Sequence, residues 1–177
     1  MKLFGKIALI IITFCIITSC NGGKNLTDST PVATDIPCFE NGKSDNYFFR
    51  ASANATSSNI GIAKEKAMAE AKAQIAEQII EEAKSAADRY ATEKQITDKQ
   101  TFIKTIELAT NKTADIALKG LAPFCEKYSE ANGRYTAYVS AEIGKQRIFE
   151  ELNQQITNTI PNFDNKKFGT TFSSFNK

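Results

Sequence analysis

The chain contains no histidine and no tryptophan. The missing histidine excludes any Ser-His-Asp or Cys-His relay. It also leaves only carboxylates and thiols to build a transition-metal site. The nine glycines are scattered through linker, caps and turns, and none of their spacings matches a phosphate-cradling loop. Arginine is sparse and dispersed, at Arg50, Arg89, Arg134 and Arg147. Charge of either sign is not in excess: the net is +2 over the whole chain. Lys2 and Lys6 account for that surplus, so the chain beyond the leader has 20 basic and 20 acidic residues. Nucleic acid is therefore not expected as a main partner, because phosphate binding needs a basic excess on some face. The carboxylate pairs Glu81/Glu82 and Glu150/Glu151 lie in helical stretches near lysines and read as solvated faces rather than acid/base pairs. No enzyme is expected and no cofactor.

Long apolar runs are also lacking. The longest, 7–17, has eleven residues, against the roughly 20 that a membrane-spanning helix needs. It follows two lysines and ends in Ile17-Thr18-Ser19-Cys20, which is a signal-peptide layout. A branched apolar residue, two small residues and a cysteine resemble a bacterial lipobox. Residues 1–19 then form a lipoprotein leader, and Cys20 becomes the lipidated first residue. Several acyl chains on Cys20 would hold the protein durably to a membrane, whereas one chain is marginal. Asn21 stands where some inner-membrane lipoproteins have aspartate, so the expected location is the outer membrane. Its periplasmic or surface face stays open.

Residues 20–37 read as a lipidated, flexible tether rich in Gly, Asn, Thr, Ser and Pro. Within it Asp28-Ser29-Thr30 matches a three-residue O-glycosylation pattern with Ser29 as acceptor; plain linker is the other reading. Cys20 is consumed by lipid, which leaves Cys38 and Cys125 beyond the leader. In an oxidising compartment such a pair is most simply a disulfide. A metal site is the weaker reading because two thiols do not complete a tetrahedral set.

The domain expected over 38–157 is organised around one stretch, 59–91, with ten alanines and no proline. It reads as a single long helix. Its later part has an apolar stripe through Met68, Ile75, Ile79, Ala83, Ala86 and Tyr90. Ala63, Ala67 and Ala71 lie well round from it. A four-residue repeat drifts about 40° per step on a 3.6-residue helix, so the helix is expected to change partner along its length. The alanine half would pack on a sheet and the isoleucine half on a second helix. Homotypic contact through the alanines is the alternative. The polar stretch 92–101 breaks the pattern, and 92–97 within it is a turn or a bend. The second helix, about 98–119, has an expected seam at Phe102, Ile106, Ala109, Thr113 and Ile116.

Strands are expected at 47–56, 121–128 and 134–143. Small residues (Ala51, Ala53, Ala137, Val139) lie on the face turned to the helices. Asn132-Gly133 marks a hairpin loop over 129–133, and a short helix follows at 145–157. The fold class is α+β: a small three-stranded antiparallel sheet, two long helices on one face and a short C-terminal helix. Residues 158–177, with Phe163, Phe168, Phe172 and Phe175, are expected as a tail. It would be frayed with one or two Phe docked, or a sticky segment that recruits a partner.

The blocks FRASANATSSNIGIAKEKAMAEAKAQIAEQI and FCEKYSEANGRYTAYVSAEIGKQRIFEEL, in that order, resemble the LPP-twenty-like (twenty-kilodalton) bacterial lipoprotein family over about 38–156. That resemblance implies an α+β fold and an envelope location, and it supplies no catalytic residues. The polar interruption at 92–101 departs from the family pattern. The expected function is a non-enzymatic, lipid-anchored envelope protein with a structural or protein-interaction role. Its partner would be an envelope protein or a second copy, and its surface Phe48, Arg50, Thr136 and Tyr138, uncovered by any helix. The alternative is a module for a small apolar or glycan ligand, lined by Tyr47, Phe48, Tyr135 and Tyr138.

Overall fold

The computed structural model describes residues 36–172. The leader, Cys20, the tether to residue 35, Ser29 and Phe175 lie outside them. In chain order the elements are β1 (Phe48–Ser57), α1 (Ile60–Glu93), α2 (Lys99–Leu118), β2 (Cys125–Ala131), β3 (Arg134–Gly144), α3 (Lys145–Thr157) and α4 (Asn165–Thr171). The three strands make one antiparallel sheet ordered β1-β3-β2. With helices packed on one of its faces, the fold is α+β, as the pattern predicts.

β1 and β3 pair from Phe48 opposite Gly144 to Ser57 opposite Tyr135. Alternation then sets the faces. Phe49, Ala51, Ala137, Val139, Ala141 and Ile143 are buried beneath the helices, in the expected register. β2 differs from expectation. It begins at Cys125 and runs to Ala131, because Pro123 cannot donate to a ladder and keeps 121–124 out of the strand. The hairpin closes on two residues only, Asn132 at φ 53° and Gly133 at φ 69°, the positive-φ pair that a type I′ turn requires.

α1 starts at Asn59, whose side chain accepts from the Ile62 N–H at 3.2 Å. Every fourth residue along it is buried: Ala63, Ala67, Ala71, Ile75, Ile79, Ala83, Ala87 and Ala91 are each at most 1 % exposed. A four-residue row winds about 40° per step around the helix, so one partner cannot cover it. The sheet, with the C-terminal turns of α2, takes Ala63 to Ile79. The N-terminal part of α2, together with α3 and α4, takes Ala83 to Ala91. The partner change is therefore real, but the lining differs from expectation. Ile75 and Ile79 belong to the sheet side. The second half of α1 presents alanines and Tyr90 to aromatic rings from other elements.

Where the two cores meet, Lys145 Nζ lies 2.9 Å from the Glu82 carboxylate, with both side chains almost buried. The same ammonium stands 4.6 Å from the centre of the Phe49 ring. Lys145 is the first residue of α3, so this pair pins the start of α3 to the middle of α1.

The polar stretch after α1 is a tight turn. Ile96 N–H bonds to Ala91 C=O at 2.9 Å and Gln95 N–H to Thr92 C=O at 3.2 Å. This is the Schellman pattern, with Gln95 in the left-handed region at φ 52°. α2 is capped by the Asp98 side chain on the Thr101 N–H. Its seam follows expectation at Phe102, Ile106, Thr113 and, partly buried, Ala109, and departs towards its C-terminal end. Ile116 is 55 % exposed, while Thr110, Ala114, Ala117 and Leu118 are buried. The helix keeps its 3.6-residue period instead of winding to the 3.5 of a coiled coil.

The segment after α3 is not a tail. Phe168 and Phe172 are fully buried, and Phe163 is packed beside them. Phe163 packs tilted and Phe168 edge-on against Tyr90, and Phe149 meets Phe168 and Phe172. α4 is short and made of poor helix formers. It is held by Asp164 accepting from the Lys167 N–H, by the Lys94–Asp164 and Lys167–Glu93 ion pairs, and by Arg89 donating to Thr171 C=O. The folded domain thus extends to at least Phe172, past the expected boundary at 157.

Candidate interaction surface

The sheet face away from the helices has Phe48, Arg50, Ser52, Asn54 and Thr56 on β1, with Glu142, Ser140, Tyr138 and Thr136 opposite them on β3. This is the face expected to stand uncovered. No helix of the α layer lies on it, but its centre is covered by the chain itself. Residues 36–45 cross it as a strap that includes one 3-10 turn, Glu40–Gly42.

The strap is fastened at several points. The Cys38–Cys125 disulfide joins it to β2 across 87 residues of sequence, with Cα atoms 5.7 Å apart, inside the usual range. The Ser52 and Ser140 hydroxyls, 2.5 Å apart, both reach Cys38 C=O, at 2.8 and 2.6 Å. These are buried polar groups that satisfy one another. A Cβ on Gly42 would lie 2.5 Å from the Ser52 backbone nitrogen, so the turn can rest on β1 only because residue 42 is glycine. Further along, Ser44 Oγ accepts from the Arg50 N–H at 2.7 Å and bonds Gln78 of α1 at 2.6 Å. Asp45 accepts from the N–H groups of Tyr47 and Phe48.

The strap divides the face in two. At one end Arg50 bonds both Glu142, at 2.7 Å, and Asp45, at 2.5 Å. Its guanidinium also lies 4.8 Å from the Phe48 ring centre. Hydrogen bonds to Glu142 and then Asp45 raise the Arg50 pKa. The Tyr47 N–H, then Arg50, hold the Asp45 carboxyl below its ordinary value. Arg50 is therefore spent on internal partners, and with two carboxylates against one guanidinium this cluster has a net charge of −1. At the other end the Thr56 and Thr136 hydroxyls bond at 2.8 Å, next to a half-buried Tyr138.

The four aromatic residues considered as a ligand lining do not converge. Tyr47 precedes β1 and is 76 % exposed. Tyr135 pairs with Ser57 at the opposite end of β1, roughly 30 Å away at 3.4 Å per residue, and by alternation it faces the helices. The enclosed space on the outer face is a cavity of about 120 Å³ lined by Ile36, Pro37, Phe39, Ser52, Ala53, Asn54 and Tyr138. That is well below the roughly 300–1,000 Å³ of ordinary ligand sites. Across the strap, an open groove of about 480 Å³ is lined by Ile36, Pro37, Phe39, Cys125, Lys127 and Tyr128, with Cys38, Glu40 and Asn41.

The sequence reading missed the strap. Its available signal was Asn41-Gly42, a turn dipeptide three residues after Cys38. Among the described residues no three His, Cys, Asp or Glu side chains form a metal-holding group, and no helix is long and apolar enough to cross a membrane. Compared with protein-family models, curated proteins and solved structures, the chain has no match.

Proposed function

We propose that this chain is a non-enzymatic, lipid-anchored protein of the bacterial cell envelope, in the manner of the LPP-twenty-like lipoproteins that its sequence resembles. Cys20 carries the lipid, and the outer membrane is its location. The role is structural: the domain presents the outer sheet face to an envelope protein or to a second copy. The single observation that carries the reading is the Cys38–Cys125 bridge between the strap and the edge strand. A structural disulfide belongs to an oxidising compartment, which agrees with a leader ending in a lipobox. The outer face supplies a surface of the right kind, with Phe48 and Arg50 at one end and Thr136 and Tyr138 at the other. A small-ligand role is not favoured, because Tyr47, Phe48, Tyr135 and Tyr138 do not converge on one site.

The test combines two measurements on cells that make the full chain. The first is labelling with a fatty-acid analogue, expected for the native chain and lost in Cys20→Ser. The second places a photo-crosslinking residue at Thr136 or, as a control, at Leu108 of α2. The reading expects a discrete crosslinked species from position 136 and none from 108. Absence of label overturns the anchor. Labelled protein with identical crosslinks at both positions overturns the interaction face.

A further inference from the structure

We infer that the apolar groove beside the disulfide is a membrane-contact surface, which seats the β2 edge of the domain on the same bilayer that holds Cys20. This rests on the lipid-anchor reading above. Two of its lining side chains are large, apolar and exposed, Ile36 at 43 % and Phe39 at 53 %. They lie around one groove with Pro37. The disulfide fixes the strap residues, so the patch is built in advance and need not be ordered on binding.

The charges around it suit a headgroup surface. Glu40, on the groove wall, is paired with Lys43 at 2.5 Å. Lys127, on the groove wall, forms no ion pair among the described residues. The acid on the groove wall is thus neutralised and a cation is left over, the sign that anionic lipid attracts.

Chain length identifies the occupant. The patch begins at Ile36, and only fifteen residues separate it from Cys20. That link reaches at most about 55 Å even when fully extended. Two side chains bind a bilayer weakly in free solution, but a short link to an anchored residue makes the contact intramolecular, at an effective concentration near the millimolar range. The same patch on a free domain should therefore show little membrane affinity. The Arg50 and Phe48 end of the outer face lies on β1, the opposite edge from β2, and stays available to a protein partner.

The absence of tryptophan allows a direct test. The full lipidated chain with Phe39→Trp is reconstituted into phosphatidylethanolamine–phosphatidylglycerol vesicles whose acyl chains are brominated. A matched protein carries Leu108→Trp, on the exposed side of α2. The expected result is several-fold stronger quenching of the Phe39→Trp indole than of the Leu108→Trp indole, with a blue-shifted emission. Ile36→Glu in the Phe39→Trp background should reduce that quenching by half or more. Weak and equal quenching in protein that still floats with the vesicles overturns the contact surface and leaves the anchor standing. Equal strong quenching at both positions overturns it as well, since the domain would then have no preferred face. Protein that neither gains lipid nor floats overturns the anchor, and this inference with it.

Discussion

The two halves of α1 meet their surroundings in opposite ways. From Ala63 to Ile79 the helix approaches a sheet on which small residues, Ala51, Ala137 and Ala141, stand between Phe49, Val139 and Ile143. From Ala83 to Ala91 it faces no strand. Its alanines leave a broad trough, which Phe102, Phe163, Phe168 and Phe172 occupy. The same residue type therefore has two uses. Beside a sheet, alanine allows close backbone approach over a wide, flat contact. Among helices, it makes room for rings delivered from elsewhere. The sheet core is defined by what it leaves out, and the aromatic core by what fills it.

This difference predicts different weaknesses, the largest in the aromatic core. Phe168 is fully buried among Tyr90, Phe149, Phe163 and Phe172. Phe168→Ala is expected to lower unfolding free energy by about 3–5 kcal/mol, measured by urea denaturation. Hydrogen exchange should rise first in α4 and at the α1–α2 turn, with β1 and β3 protected. Equal loss of protection in both cores would mean that they are not distinguishable units.

Next is the clamp on the sheet side. Replacing both Cys38 and Cys125 by serine should cost about 2–5 kcal/mol, since the bridge closes a loop of nearly ninety residues. Exchange should then rise in the strap and β2 while the aromatic core keeps its protection. A smaller change, of the opposite sign, is expected at the turn. Gln95 holds a left-handed conformation that costs an ordinary residue about 1 kcal/mol. Gln95→Gly should therefore raise stability by a few tenths to about 1 kcal/mol, read from the denaturation midpoint.

The smallest effect is a pH dependence at the strap. Asp45 has its pKa lowered in the fold by the Tyr47 N–H and Arg50. A depressed carboxylate contributes stability that is present above its unfolded pKa and is lost as pH falls through the folded one. The strap should therefore loosen only below the ordinary aspartate value of 3.8, and Asp45→Asn should remove that component. Exposed pairs of this kind are weak, so the readout is local exchange at Tyr47 and Phe48 rather than global melting.

Much of the sheet side was legible in the sequence. Period-two alternation in 47–56 and 134–143 gave the register, and the four-residue row in α1 gave the winding contact. Compartment logic gave the disulfide. The remainder was hidden for physical reasons. The strap has no periodicity, and it is ordered by a disulfide, a glycine contact and two serine hydroxyls, all tertiary. α4 is NKKFGTT, a sequence with poor intrinsic helicity, which exists because two phenylalanines find a trough waiting for them. The seam of α2 was read at 3.5 residues per turn, and a helix only twenty residues long had no need to supercoil.

The central claim is that the contact row of α1 rotates from sheet to aromatic partners, and a leucine scan of its alanines measures that directly. Overfilling a packed contact costs about 1–3 kcal/mol, whereas an exposed change stays within about 0.5 kcal/mol. Ala→Leu at 63, 67 and 71, and again at 83, 87 and 91, should destabilise, while Ala69 and Ala73, exposed between the buried positions, should tolerate leucine. The destabilising positions then advance by about 40° per step along the helix. Destabilisation confined to one fixed helical face, or equal at 67 and 69, would contradict the account.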